Sequence, residues 1–203
     1  LDWRPTASFE TLRLRAELLA RIRSFFAGRD VLEVDTPALS SAASTDPALQ
    51  SFTTVYHAPG PAADTTSYLH TSPEFPMKRL LAAGSGSIYQ LCKVFRDGEC
   101  GTRHNPEFTL LEWYRTGMDH LDLMDEVEQL LTAVLGDIAT LDSVHHWTYR
   151  DLFLKYADVD PFTISPDQLK TRLESGYDIF PVGLPGDELD CWLDLVMTHV
   201  IET

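Results

Sequence analysis

Between Ile88 and Arg115 the chain reads IYQLCKVFRDGECGTRHNPEFTLLEWYR, and most side chains suited to chemistry are crowded into that run. It holds a guanidinium (Arg96), an imidazole (His104), an amide (Asn105), a ring (Phe108), a carboxylate (Glu112) and a phenol (Tyr114). Alternate residues of an extended strand share a face. Over 107–115 that puts Phe108, Leu110, Glu112 and Tyr114 on one side, and Thr109, Leu111 and Trp113 on the other. The second set is an ordinary core face. The first sets a carboxylate between an aromatic ring and a phenol. A guanidinium offers a planar donor fork to phosphate oxygens, and a ring offers a π-face to a base. Together they suit a nucleotide. On the residues alone, a solvated hairpin with Glu112 paired to an arginine and Phe108 in the core explains the pattern equally well.

The elements that must position these groups are two strands, Ile88 to Phe95 and Glu107 to Arg115, joined by a turn region from Asp97 to Pro106 with glycines at 98 and 101. Upstream, the spacing predicts a helix from Thr6 to Phe26. Ser8 is its cap, Glu10 lies in its first turn, and Leu12, Leu19, Ile22 and Phe26 form a stripe widened by Leu18 and Phe25. Gly28 stops it, and a short strand from Val31 to Val34 ends at Pro37. The stretch from Ser40 to Ala63 reads as loop, with a strand from Phe52 to Tyr56 inside it. A strand from Tyr68 to Thr71 then feeds a helix that has Pro73 in its first turn and closes at Gly84, with Leu80 and Leu81 facing the core. Downstream, Asp119 to Leu135 is amphipathic. Leu123, Val127, Leu130, Leu131 and Val134 lie on one side, and Asp122, Asp125, Glu126 and Glu128 on another, read as a solvated face. His145 and His146 would point to opposite sides of a strand and make no metal site. Trp147 to Tyr156 is read as packing on the domain. Further helices begin at Ser165, ending at Gly176, and at Asp187, running to Glu202.

The 203 residues suffice for one domain with a substantial core, and 44% apolar with 23% charged residues is the balance of a soluble globular protein. No apolar run approaches the ~20 residues needed to cross a bilayer. The opening residues lack the basic and apolar regions of a signal peptide. Cys92, Cys100 and Cys191 have no metal-ligand spacing and cannot all pair, which fits a reducing cytoplasm; Cys92 and Cys191 read as small core residues. A formal net charge of −15 makes the chain a poor generic binder of nucleic acid, although it does not exclude a local basic patch. It shifts weight toward a basic protein or a small cation.

The run F-R-D-G-E, continued by R-H-N-P-E-F-T-L-L-E-W-Y, resembles motif 2 of the class II aminoacyl-tRNA synthetases in its lysyl form. It is more similar still to the elongation factor P–lysine ligases, a family of short paralogues of the lysyl enzyme, as the ending E-W-Y-R suggests. T-S-P-E-F-P-M-K-R-L resembles the lysyl enzymes' amino-acid-pocket segment, and the first helix, strand and Pro37 resemble motif 1, the family's dimer interface.

The resemblance implies an α/β (α+β) catalytic domain with an antiparallel sheet flanked by helices, preceded by no anticodon-binding domain. It implies ATP with Mg2+, and activation of a lysine-type amino acid, (R)-β-lysine above all, as an adenylate passed to a lysine of elongation factor P. Arg96 would be the catalytic residue, holding the α-phosphate and the attacking carboxylate together. Asp97, Gly98 and Glu99 would form the nucleotide loop, Arg103 and His104 would meet the outer phosphates, Asn105 would orient the nucleotide and Phe108 would stack on adenine. Ser72, Pro73, Glu74, Glu112 and Tyr114 would make the amino-acid pocket.

The sequence departs from the family at Gly98, where a glutamate usually reads the adenine amino group. Either the neighbouring Glu99 substitutes, the reading we favour, or the backbone at Gly98 does. No glycine-rich motif 3 and no acidic strand to hold magnesium occur in these 203 residues, so the domain reads as incomplete and no metal ligand is assigned. The resemblance further implies a cytoplasmic homodimer that uses neither tRNA nor a membrane. A lysyl-tRNA synthetase core and a non-catalytic nucleotide-binding module remain the competing readings.

Overall fold

In the computed structural model, residues 3–57, 59–60, 64–101, 104–177 and 189–202 are described, and they fall into two compact units, Leu1–Asp142 and Ser143–Thr203. In the first unit α1 (Phe9–Ala27) starts where the Ser8 hydroxyl accepts from the Thr11 amide, so the helix begins at the anticipated cap. Then follow β1 (Leu32–Glu33), β2 (Leu39–Ser40), β3 (Thr53–Tyr56), β4 (Thr65–Leu69), α2 (Glu74–Ala82), β5 (Ile88–Phe95), β6 (Glu107–Tyr114) and α3 (His120–Leu135).

The strands make two three-stranded sheets, ordered β1-β5-β6 and β2-β4-β3. The expected antiparallel pairing holds for β5 with β6 and throughout the second sheet, but β1 runs parallel to β5. The α/β class is as expected. β4 begins earlier than the anticipated Tyr68, because Thr65 pairs with Tyr56 and the partner strand sets its length. Pro73 is the residue before α2 rather than part of its first turn.

The core of this unit gathers Phe25, Phe26, Val31, Tyr89, Leu130 and Val134, with Leu91, Leu111 and Trp113 against them. Leu111 and Trp113 thus occupy the core face assigned to them. Phe26 stacks on Tyr89 at 4.5 Å between ring centroids, worth about 0.5–1.5 kcal/mol beyond area burial. Only the C-terminal half of α1 takes part; from Phe9 to Glu17 every residue is exposed, Leu12 included.

α3 corrects the reading of its acidic face. Val127 and Leu131 are exposed, whereas Glu126 is buried at 3% exposure. Its carboxylate accepts from Trp113 Nε1 at 3.1 Å and lies 3.2 Å from Arg115 Nε, off the line a hydrogen bond requires, with Arg29 Nε at 4.0 Å. A buried carboxylate needs such partners; Trp113 and Arg115 come from β6 and its end, and Arg29 from just beyond α1.

The second unit holds α4 (Tyr149–Ala157), α5 (Pro166–Gly176, capped by Ser165), α6 (Leu189–Val196) and a π-helical turn, Met197–Ile201. Phe153, Ala157, Leu169, Leu173, Trp192, Leu193 and Val196 form its core. The anticipated helix start at Asp187 lies outside the described residues. Cys92 and Cys191 are half-buried, and Cys100 is exposed.

Candidate active site

The β5–β6 hairpin places two groups of side chains on the face away from the core. At its loop end, Arg96 follows β5 and its backbone N–H donates to the Pro106 carbonyl at 2.9 Å. Its guanidinium donates from Nε to the Thr71 carbonyl and from Nη1 to Glu99 Oε1, both at 3.3 Å, and lies 5.0 Å from the Phe108 ring centroid. Arg96, Glu99 and Phe108 are thereby brought together, and Thr71 is a partner that sequence reasoning missed.

Asp97 N–H donates to the Gln50 carbonyl at 2.8 Å, which ties the loop to the segment before β3. Gly98 has φ +81°, a left-handed conformation that glycine adopts without strain. A glutamate there would be strained, so this backbone disfavours an acid at position 98. The loop closes through Gly101 N–H to the His104 carbonyl at 3.1 Å, with His104 and Asn105 exposed. Arg103 lies outside the described residues.

Toward the other end of the hairpin is a carboxylate cluster. The Tyr114 hydroxyl donates to Glu112 Oε1 at 2.6 Å. Burial pushes the Glu112 carboxyl above its usual range; the Tyr114 hydroxyl opposes this, nearby Glu74 pushes the same way as burial, and Lys78 and His70 pull it down. The Tyr114 phenol is pushed up as well, by burial first and then by Glu112. Glu74 opens α2 beside the buried Pro73, where the helix N-terminus favours a carboxylate, and it accepts from Lys78 Nζ at 2.5 Å. Glu74, Glu112 and Tyr114 therefore converge as expected.

Ser72 and Glu74 also line a groove of about 740 Å³ shared with His70, Ser44, Asp46 and Arg79. His70 donates from Nε2 to the Lys93 carbonyl at 2.7 Å, leaving Nδ1 buried and unpartnered. No group of three His, Cys, Asp or Glu able to hold a metal occurs among the described residues.

A strand pair carrying an arginine over a phenylalanine at one end and paired acids at the other is what the class II synthetase motifs would build. The model of the family "tRNA synthetases class II (D, K and N)" matches residues 1–175, and the chain belongs to that family. Within it, the chain is 48% identical over 201 residues to the elongation factor P–(R)-beta-lysine ligase of Vibrio vulnificus, covering 99% of this chain and 61% of that protein. It is 51% identical over 200 residues to the ligase of the same name from Photobacterium profundum, covering 98% and 60%. The chain thus spans about 60% of the length of these curated relatives.

Proposed function

We propose that this chain carries the nucleotide and amino-acid sites of an ATP-dependent ligase that activates a lysine-type amino acid, (R)-β-lysine above all, as its adenylate. The acyl group then passes to a lysine side chain of elongation factor P. The observation that carries the reading is Glu112, held by the Tyr114 hydroxyl at 2.6 Å and feeling the negative charge of Glu74 at the start of α2. Two neighbouring acids repel each other until a cation joins them, and a diamino acid brings two ammonium groups. Glu74 already accepts from one ammonium, that of Lys78.

Forming an acyl-adenylate calls for orientation and charge neutralisation rather than a protein nucleophile. Arg96 would bridge the α-phosphate and the attacking carboxylate, a task for a planar fork. Phe108 would stack on the adenine, Glu99 would read the adenine amino group, and Asp97, Gly98 and Asn105 would shape the loop around the nucleotide. Arg103 and His104 would meet the outer phosphates. Ser72 and Pro73 would wall the pocket in which Glu74, Glu112 and Tyr114 hold the amino acid. For magnesium, which the family resemblance implies, no ligand is assigned among the described residues. The exposed half of α1 supports a homodimer through the motif 1 region, and no helix among the described residues is long and apolar enough to cross a membrane.

The test is ATP–pyrophosphate exchange by the full-length protein with α-lysine and (R)-β-lysine, followed by labelled transfer to elongation factor P and to tRNA in parallel. Faster exchange with β-lysine and label on the protein are expected. Label on tRNA would make the protein a synthetase, and no exchange with either amino acid would leave a nucleotide-binding module.

A further inference from the structure

Gln90 is a buried polar residue with no place in the chemistry above. It sits in β5 at 1% exposure, and its partner across the hairpin is Glu112. Directly paired side chains on one face of a sheet have Cβ atoms about 4.5–5.5 Å apart. The Thr36 hydroxyl donates to Gln90 Oε1 at 3.0 Å and so orients the amide. Nε2 is buried with no hydrogen-bond partner. A buried amide donor without an acceptor is destabilising, so its presence calls for a use.

Two acceptors lie on its face. The Cys92 thiol, two residues along β5, is a weak one; burial pushes its pKa up and the Gln90 amide opposes that. The other is Glu112, whose Oε1 is engaged by Tyr114 while its second oxygen accepts no hydrogen bond among the described residues.

We propose that Gln90 is a positioning residue of the amino-acid pocket. Oriented by Thr36, its Nε2 donates to the second oxygen of Glu112 when a substrate ammonium draws that carboxylate into its ionised, bound position. Tyr114 then holds one oxygen and Gln90 the other, leaving the remaining lone pairs aimed at the ammonium. This inference rests on the reading of Glu112 as a ligand of the cationic amino acid.

The consequence is a pH signature. Glu112 is faced by Tyr114 from its own strand, by Gln90 and Cys92 from β5, by Glu74 and Lys78 from α2 and by His70 from the end of β4; Asp35 adds a negative charge felt at Cys92. A donor to an ionised carboxylate favours that form, so its loss makes the carboxylate protonate at higher pH. A cation bound by the ionised form is then lost earlier on acidification.

The experiment measures pyrophosphate exchange by the full-length protein across pH, with Gln90→Met as the main variant, similar in size and without donors. The expected result is a KM for the amino acid raised about tenfold, the equivalent of one hydrogen bond to a charged group. The KM for ATP stays unchanged, and the acid limb of kcat/KM for the amino acid moves to higher pH. Thr36→Val, which frees the amide to turn, should shift the same limb less. An unmoved acid limb in Gln90→Met, or both KM values rising together, would reduce Gln90 to packing. If Gln90→Met does not fold, an unmoved limb in Thr36→Val overturns the proposal. Exchange by the unsubstituted protein separates the two claims: without it the pocket reading falls and this inference with it, and with it the variants judge Gln90 alone.

Discussion

At the residue scale, Arg96 and Glu112 are held differently, and their variants should fail differently. Arg96 is gripped by the Thr71 carbonyl and Glu99 beside the Phe108 ring, so its fork is held in one orientation. Arg96→Lys keeps the charge and loses the planar geometry. We expect kcat for pyrophosphate exchange to fall by about 10²–10³-fold, the usual loss when one oriented donor to developing charge is removed. Glu99→Ala should raise the KM for ATP, because the adenine amino group loses its acceptor. An unchanged value would sink that role, and a lowered one would mean that Glu99 competes with phosphate for the guanidinium it now touches at 3.3 Å. Glu112 must be ionised to hold an ammonium, and its pKa lies above the ordinary range. Affinity for the amino acid is therefore lost as pH falls through that raised value. Measured by KM against pH, the loss should begin above the ~4.3 of a free glutamate.

At the element scale, the hairpin is held from behind. Trp113 and Arg115 flank Tyr114 and converge on Glu126 of α3, so the core side of β6 is pinned by a buried acid while the opposite side carries Glu112 and Tyr114. Glu126→Ala would leave the Arg115 guanidinium, largely buried, without its counter-charge, at a cost of about 3–5 kcal/mol. Urea unfolding of the first unit should show a lower midpoint with an unchanged slope, and Glu126→Gln, which can still accept from the indole, should lose less. This network marks where sequence reading runs out. The bounds of β5, the Ser8 cap of α1 and the starts of α3 at Asp119 and α5 at Ser165 were legible because each depends on a local signal: alternation, a side-chain oxygen, the onset of a periodic stripe. Glu126 was misassigned because periodicity shows that a helix has faces but not which face a distant arginine and indole will cover. Gln90 was passed over for the same reason: within Tyr89-Gln90-Leu91-Cys92 it looks like any polar strand residue until Thr36 and Glu112 are beside it. Arg96, Phe108, Glu112 and Tyr114 were legible as a constellation because one hairpin carries them all.

At the scale of the whole molecule, the unexplained surface is the N-terminal half of α1. Phe9 is 76% exposed and Leu12 45%, with Leu14 exposed beside them, although the same helix buries Phe25 and Phe26 a few turns later. A helix that sends apolar side chains to solvent along this half gains no apolar burial from them there. Covering them in an association would contribute about 25 cal/mol per Å² of apolar area removed from water. A symmetric dimer supplies that cover economically, since the same patch serves both partners. Full-length protein should therefore run in light scattering at twice the chain mass at micromolar concentration. Leu12→Asp, which puts a charge into the patch while touching no core residue, should run at the single mass with an unchanged far-ultraviolet circular dichroism spectrum. If the unsubstituted protein is a monomer at that concentration, the motif 1 helix does not pair copies of this chain, and its exposed face needs a different partner. Arg15 ties the same half of α1 to the hairpin, donating to Thr109 at 2.8 Å, so a dimer through this surface would also brace β6. In that case Leu12→Asp should lower pyrophosphate exchange as well as mass, and a monomeric variant with full exchange would separate assembly from catalysis.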